Sequence, residues 1–119
     1  MKPLKLDVTH LGRTPLGKDV LAALEAYETS EAERRGWKRY VAVRTRKALL
    51  LHGVLGFLKR ILARPYTTPG FDALVEDGQV KHVYEWIALK HRVKFTTEEQ
   101  AVAWDRLRDA GVKRLPRAA

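Results

Sequence analysis

Apolar residues recur every three or four positions through most of this chain, and the periodic stretches are bounded by helix caps and stops. Leu16, Val20, Ala23, Leu24 and Tyr27 form one stripe after Thr14-Pro15. Threonine before proline predicts a helix start: the hydroxyl accepts from a free N–H, and proline has none to leave unpaired. Asp19 lies early, where the helix dipole favours a carboxylate, and Gly36 is the predicted stop. The stretch from Trp37 to Arg64 is either one long helix or a short turn followed by a helix from Thr45. Val41-Ala42-Val43 is a weak helix former and Thr45 can cap, which favours the break. Ala48, Leu51, Leu55, Leu58 and Leu62 then share a stripe, widened by Leu50, Val54, Phe57 and Ile61. So broad an apolar face belongs to the central helix of a core.

Pro65, Thr67, Thr68, Pro69 and Gly70 mark a loop, after which Phe71, Leu74 and Val75 predict a short inward-packing turn. A third helix is predicted from about Asp77 to Arg92, with Val80, Val83, Tyr84, Ile87 and Ala88 as its stripe. The fourth begins at Thr96 or Thr97, because Thr96 with Glu99 and Thr97 with Gln100 both fit a capping box. Ala101, Trp104 and Leu107 line it, and Gly111 follows its end. No strand pair with a hairpin signal appears, although Val93 to Phe95 can be extended. The fold class is therefore all-α: one domain of four main helices around one core, SAM-like or a small helical bundle. Its expected buried residues are Leu51, Leu55, Leu58, Ile87, Trp104 and Leu107.

Composition narrows the class. The 119 residues fit one domain, and 45% apolar content can fill one modest core. Residues 1–13 are expected to be a flexible N-terminal segment, 14–112 the helical domain and 113–119 a basic tail. Cysteine is absent, which excludes disulfides, thiolate metal sites and a cysteine nucleophile. No apolar run approaches the roughly 18 residues of a membrane span, and no signal-peptide pattern follows Met1, so a cytoplasmic location is expected. With 23 basic against 14 acidic residues the net charge is +9, which makes a polyanion the leading partner.

The distribution of charge is more informative than its total. From Arg34 to Phe71 there is no acidic residue, yet that interval holds Arg34, Arg35, Lys38, Arg39, Arg44, Arg46, Lys47, Lys59, Arg60 and Arg64. On a straight helix Arg46, Gly53 and Arg60 align, opposite the Leu51–Leu58 stripe, and Arg46 to Arg60 spans about 21 Å. Such a line can meet phosphates at two places on a duplex. Lys38, Arg39, Arg44, Arg46, Lys47, Lys59 and Arg60 are therefore the candidate nucleic-acid-binding residues. They are suited to phosphates, because the interval contains no Asn or Gln for reading adenine. Two other readings stand beside this one: a solvated basic face, and close helix packing at Gly53 and Gly56, which suits a subunit interface as well as a nucleic-acid surface. The runner-up class is a protein–protein adaptor whose basic face meets an acidic partner. Trp37, Trp86, Trp104 and Tyr84 fall at core-like phases, whereas Tyr40 and Tyr66, near the basic segment, are the better candidates for base stacking.

The marks of catalysis are missing. There is no phosphate-cradling Gly-x-x-x-x-Gly-Lys-Ser/Thr loop. His10, His52, His82 and His91 lack metal-ligand spacing, and the one serine, Ser30, has no convincing base. No catalytic residue, metal or cofactor is expected, and the chain is read as a non-enzyme.

The order of segments resembles the helical N-terminal core-binding domain of tyrosine recombinases and phage integrases, over roughly Lys18 to Val112. Val20-Leu21-Ala22-Ala23-Leu24-Glu25-Ala26-Tyr27 is similar to its first helix, and Val43-Arg44-Thr45-Arg46-Lys47-Ala48-Leu49-Leu50 to the start of its second. Gly56-Phe57-Leu58-Lys59-Arg60-Ile61-Leu62 is similar to the end of the second, and Val80 to Ile87 and Thr97 to Gly111 to the third and fourth. The resemblance implies half of a clamp on duplex DNA. The catalytic half of that family, with its arginines, histidines and nucleophilic tyrosine, has no counterpart here. A weaker resemblance is to the small, basic, helical subunits of CRISPR effector complexes, carried by Gly53-Val54-Leu55-Gly56-Phe57-Leu58 within Tyr40 to Leu62. That one implies a groove for guide RNA and target strand.

Overall fold

The structure is a computed structural model that describes residues 6–119. Among the described residues five α-helices follow one another: α1 (Pro15–Arg35), α2 (Val43–Ala63), α3 (Pro69–Glu76), α4 (Tyr84–Lys90) and α5 (Thr97–Asp109). Short 3-10 turns cover Thr9–Arg13, Val80–His82 and Arg92–Lys94, and no strand occurs among the described residues. The all-α class stands, with five helices rather than four.

Local chemistry places most of the ends. The Thr14 hydroxyl accepts from the Gly17 N–H at 3.0 Å, with Pro15 opening α1. Gly36 closes α1 in the left-handed conformation at φ 67°, which costs a residue with a Cβ far more than glycine. α5 carries the full capping box: the Thr96 hydroxyl accepts from Glu99 N–H at 3.1 Å, and the Glu99 carboxylate accepts from Thr96 N–H at 2.8 Å. The predicted inward turn around Phe71 is a helix of its own, because Thr68 caps it by accepting from Phe71 N–H and Pro69 opens it.

Two boundaries differ from expectation. Asp77 does not start the third helix but ends α3, and Gly78 follows at a positive φ of 74°. That reversal separates α3 from a 3-10 turn, and α4 forms only after Val83 has returned to extended backbone. The second helix begins at Val43, two residues before Thr45. Glu28, reaching across from α1, accepts from the Ala42 N–H at 2.8 Å and holds the chain as it turns into α2.

α2 is also bent. Gly53 sits at φ 74°, ψ 172°, a conformation essentially reserved for glycine, so the helix is two helical pieces joined at that residue. The phase of the apolar stripe breaks there. Leu49 is buried before the bend, and Phe57, Leu58, Ile61 and Leu62 after it. Leu51 and Leu55, expected in the core, are instead exposed at 77% and 37%. The rest of the expected core is present: Leu58, Ile87 and Leu107 are buried, with Trp104 partly buried against them.

The core gathers Val20 and Leu24 of α1, Leu58 and Ile61 of α2, Leu74 of α3, Ile87 of α4 and Leu107 of α5. Polar ties cross it. His91 Nε2 and Lys90 Nζ meet the Asp19 carboxylate at 2.6 and 3.0 Å, joining the end of α4 to α1. Both end segments lie against the helices: Val8 is buried, and the Ala119 N–H donates to the Lys90 carbonyl at 2.8 Å. Residues 1–5 of the predicted N-terminal segment lie outside the described residues. No described helix is long and apolar enough to cross a membrane.

Candidate nucleic-acid interface

The long interval without acids does not stay without acids once folded, because neighbouring elements supply them. Arg46 is the clearest case. Its Nε and Nη2 donate to the two carboxylate oxygens of Glu28 at 2.8 and 2.7 Å, and its Nη1 donates to the Leu6 carbonyl at 2.9 Å. This two-pronged pairing holds the guanidinium above its ordinary pKa and fastens α2 to α1 and the N-terminal segment. Lys59 Nζ is paired with Glu99 at 2.7 Å. The predicted line of cations from Arg46 to Arg60 is therefore absent: Arg46 is engaged, and the bend at Gly53 interrupts the straight helix that would have aligned the two.

Lys38, Arg39, Arg44, Lys47 and Arg60 are exposed, and none makes an ion pair among the described residues. The first four lie within ten residues of chain, on the α1–α2 connection and the first turns of α2. Arg46→Gln should thus act on the fold, lowering stability by about 1.5–3 kcal/mol for lost hydrogen bonds to a charged partner. Lys47→Gln, one residue on, should stay within about 0.5 kcal/mol. Equal urea midpoints for the two variants would contradict this division.

Beside these cations lies a groove of about 720 Å³, between α1, the start and end of α2, α3 and the segment entering α4. Its volume is that of a small-ligand site. Tyr27, Tyr40, Tyr66, Phe57, Phe71 and Tyr84 contribute rings to its lining, and Arg44, Arg64 and His82 contribute basic groups. Among the described residues no Asp or Glu lines it. Burial pushes Tyr27 up to about 12, with the Glu31 charge acting the same way, and burial also raises Tyr84. Both phenols stay neutral at physiological pH, so the groove presents neutral rings and positive side chains.

Arg64 also lines this site, although it is not among the candidate binding residues of the sequence. Trp37 was missed as well. Its helical phase placed it in the core, but Gly36 ends the helix before it, and Trp37 is 54% exposed on the connection. Trp86 and Trp104 do pack against the core. The signal for Trp37 was already in the chain, since a residue just past a glycine stop no longer obeys the phase of the preceding helix. Tyr40 and Tyr66, singled out from the sequence, both line the groove, and Tyr66 is 62% exposed.

No protein-family model, curated protein or solved structure matches the chain. The functional reading accordingly rests on this geometry.

Proposed function

We propose that this protein is a non-enzymatic nucleic-acid-binding module that holds a phosphate backbone along the α1–α2 connection and the first turns of α2. The observation that carries this reading is the grouping of Lys38, Arg39, Arg44 and Lys47, exposed and unpaired among the described residues, beside a groove lined by aromatic rings and arginines but by no carboxylate. Exposed positive charges that no carboxylate pairs attract a polyanion and gain from the counterions it releases. Of the two resemblances, the recombinase-like one calls for duplex DNA and the CRISPR-like one for single strands or RNA.

Gel shifts with duplex DNA, single-stranded DNA and RNA at 50 mM salt test the proposal. A shift with at least one of the three is expected. If about four cations meet phosphates, log affinity should fall against log salt with a slope near −3.6 on duplex or −2.8 on a single strand. Replacing Arg44 and Lys47 by Gln should flatten that slope by roughly 1.4 on a single strand or 1.8 on duplex and leave the melting temperature in place. No binding to any of the three would remove the proposal.

One observation favours a second reading, an adaptor for an acidic protein. Leu50, Leu51 and Leu55 are exposed on α2 close in sequence to Lys47, and apolar side chains flanked by charge are a common protein-contact surface. Failure to bind any nucleic acid would turn attention to that face.

A further inference from the structure

Trp37 has an unusual setting. It follows the left-handed cap of α1, is 54% exposed, and is followed directly by Lys38 and Arg39. It is not a loose side chain. The Arg35 guanidinium lies 4.9 Å from the Trp37 ring centre and 4.8 Å from that of Tyr40. Arg35 is itself held by Glu31, at 3.2 Å. The Trp37 and Tyr40 rings lie 6.2 Å apart with 31° between their planes, and Tyr40 meets Tyr27 edge-on at 6.1 Å. Three rings thus run in sequence from the open surface, through the rim, to the wall of the groove.

The faces of an exposed indole are apolar and poorly hydrated, yet this ring is braced by a cation and continues into an aromatic groove. A braced π-face beside backbone-directed cations is what an unpaired base requires: the ring accepts the base by stacking while the lysines and arginines hold the phosphates on either side. A duplex offers no such contact without unstacking, because its base faces are already covered by their neighbours. Arg44 and Arg64 on the groove lining, with no carboxylate beside them, match the charge of a strand entering there.

We infer that Trp37, with Tyr40 behind it, is a stacking platform for an unpaired base, and that the partner is single-stranded nucleic acid. This rests on the nucleic-acid reading above and specifies its substrate.

The test is fluorescence anisotropy at 50 mM salt with labelled 20-nucleotide oligo-dT and oligo-U, and with a 20-base-pair DNA duplex. Wild-type protein should bind at least one of the single strands more tightly than the duplex. Trp37→Ala should weaken that single-strand binding roughly tenfold, the effect of losing one base stack. Duplex binding should stay within twofold, and Trp37→Phe should restore most of the loss. Because Trp37 is half-exposed, the variants should melt with the wild type, which circular dichroism checks. Intrinsic tryptophan fluorescence gives a second readout: quenching on oligo-dT addition should be large in the wild type and small in Trp37→Phe, whose remaining indoles pack against the core. Single-strand binding that ignores Trp37→Ala, or equal losses on single strand and duplex, would overturn the inference and leave the broader reading intact. Binding to none of the probes would overturn both.

Discussion

Replacing Arg106 with Met should destabilise the protein by about 3–5 kcal/mol, the cost of leaving a buried charge without its partner. Glu85 on α4 is almost wholly buried, and Arg106 on α5 meets it at 3.1 Å with little exposure of its own. The same guanidinium donates to the Ile61 carbonyl at 3.1 Å and to the Arg64 carbonyl, so one side chain ties α5 to α4 and to the open end of α2. Burial raises the Glu85 pKa above its ordinary value, and Arg106 opposes that rise. The sign of the pH dependence follows. A carboxyl that is a weaker acid in the folded state contributes most below its unfolded pKa, and that contribution is lost as pH rises through the folded value. Without Arg106 the folded value climbs further, so the variant's deficit should be larger at about pH 8 than at about pH 5. Urea unfolding at both values measures it. Adding Glu85→Gln to Arg106→Met should recover part of the loss at the higher pH. A single variant as stable as the wild type at both values would show that the pair contributes no stability.

Leu58→Ala should cost about 2–5 kcal/mol, whereas Leu51→Ala should change stability by no more than about 0.5 kcal/mol. On an unbroken helix the two positions are seven apart and share a face, so they should respond alike. In this fold Leu58 is 1% exposed and Leu51 77%. The difference arises at Gly53, whose backbone lies outside the helical region between them. Removing Leu58 opens a cavity among close-packed neighbours, while removing Leu51 uncovers a site already in water. Since a domain of this size typically holds about 5–15 kcal/mol in reserve, the first loss should be plain in a thermal melt. Similar melting temperatures for the two variants would mean that α2 runs straight.

The candidate interface was partly legible before folding. Lys38, Arg39, Arg44 and Lys47 were marked by the run without acids, and Tyr40 and Tyr66 by their position beside it. Arg46 and Lys59 were marked by the same rule and turned out to be paired. The rule counts only acids near in sequence, and the partners, Glu28 and Glu99, lie 18 and 40 residues away. Coulomb attraction acts through space, so a gap along the chain does not make a gap in the fold.

What the sequence determined by itself was local. The start of α1 at Thr14-Pro15, its stop at Gly36, the capping box of α5 and the all-α class depend on groups within about four residues of each other, and those interactions follow from residue order alone. Tertiary structure decided what depends on contacts between distant segments. Glu28 moved the start of α2 ahead of Thr45 and turned Arg46 from a free cation into a brace. Packing selected the bent form of α2, in which Leu58 enters the core and Leu51 leaves it. A glycine permits such a bend without requiring it, because its backbone reaches both conformations, and only the burial gained by the neighbouring side chains chooses between them.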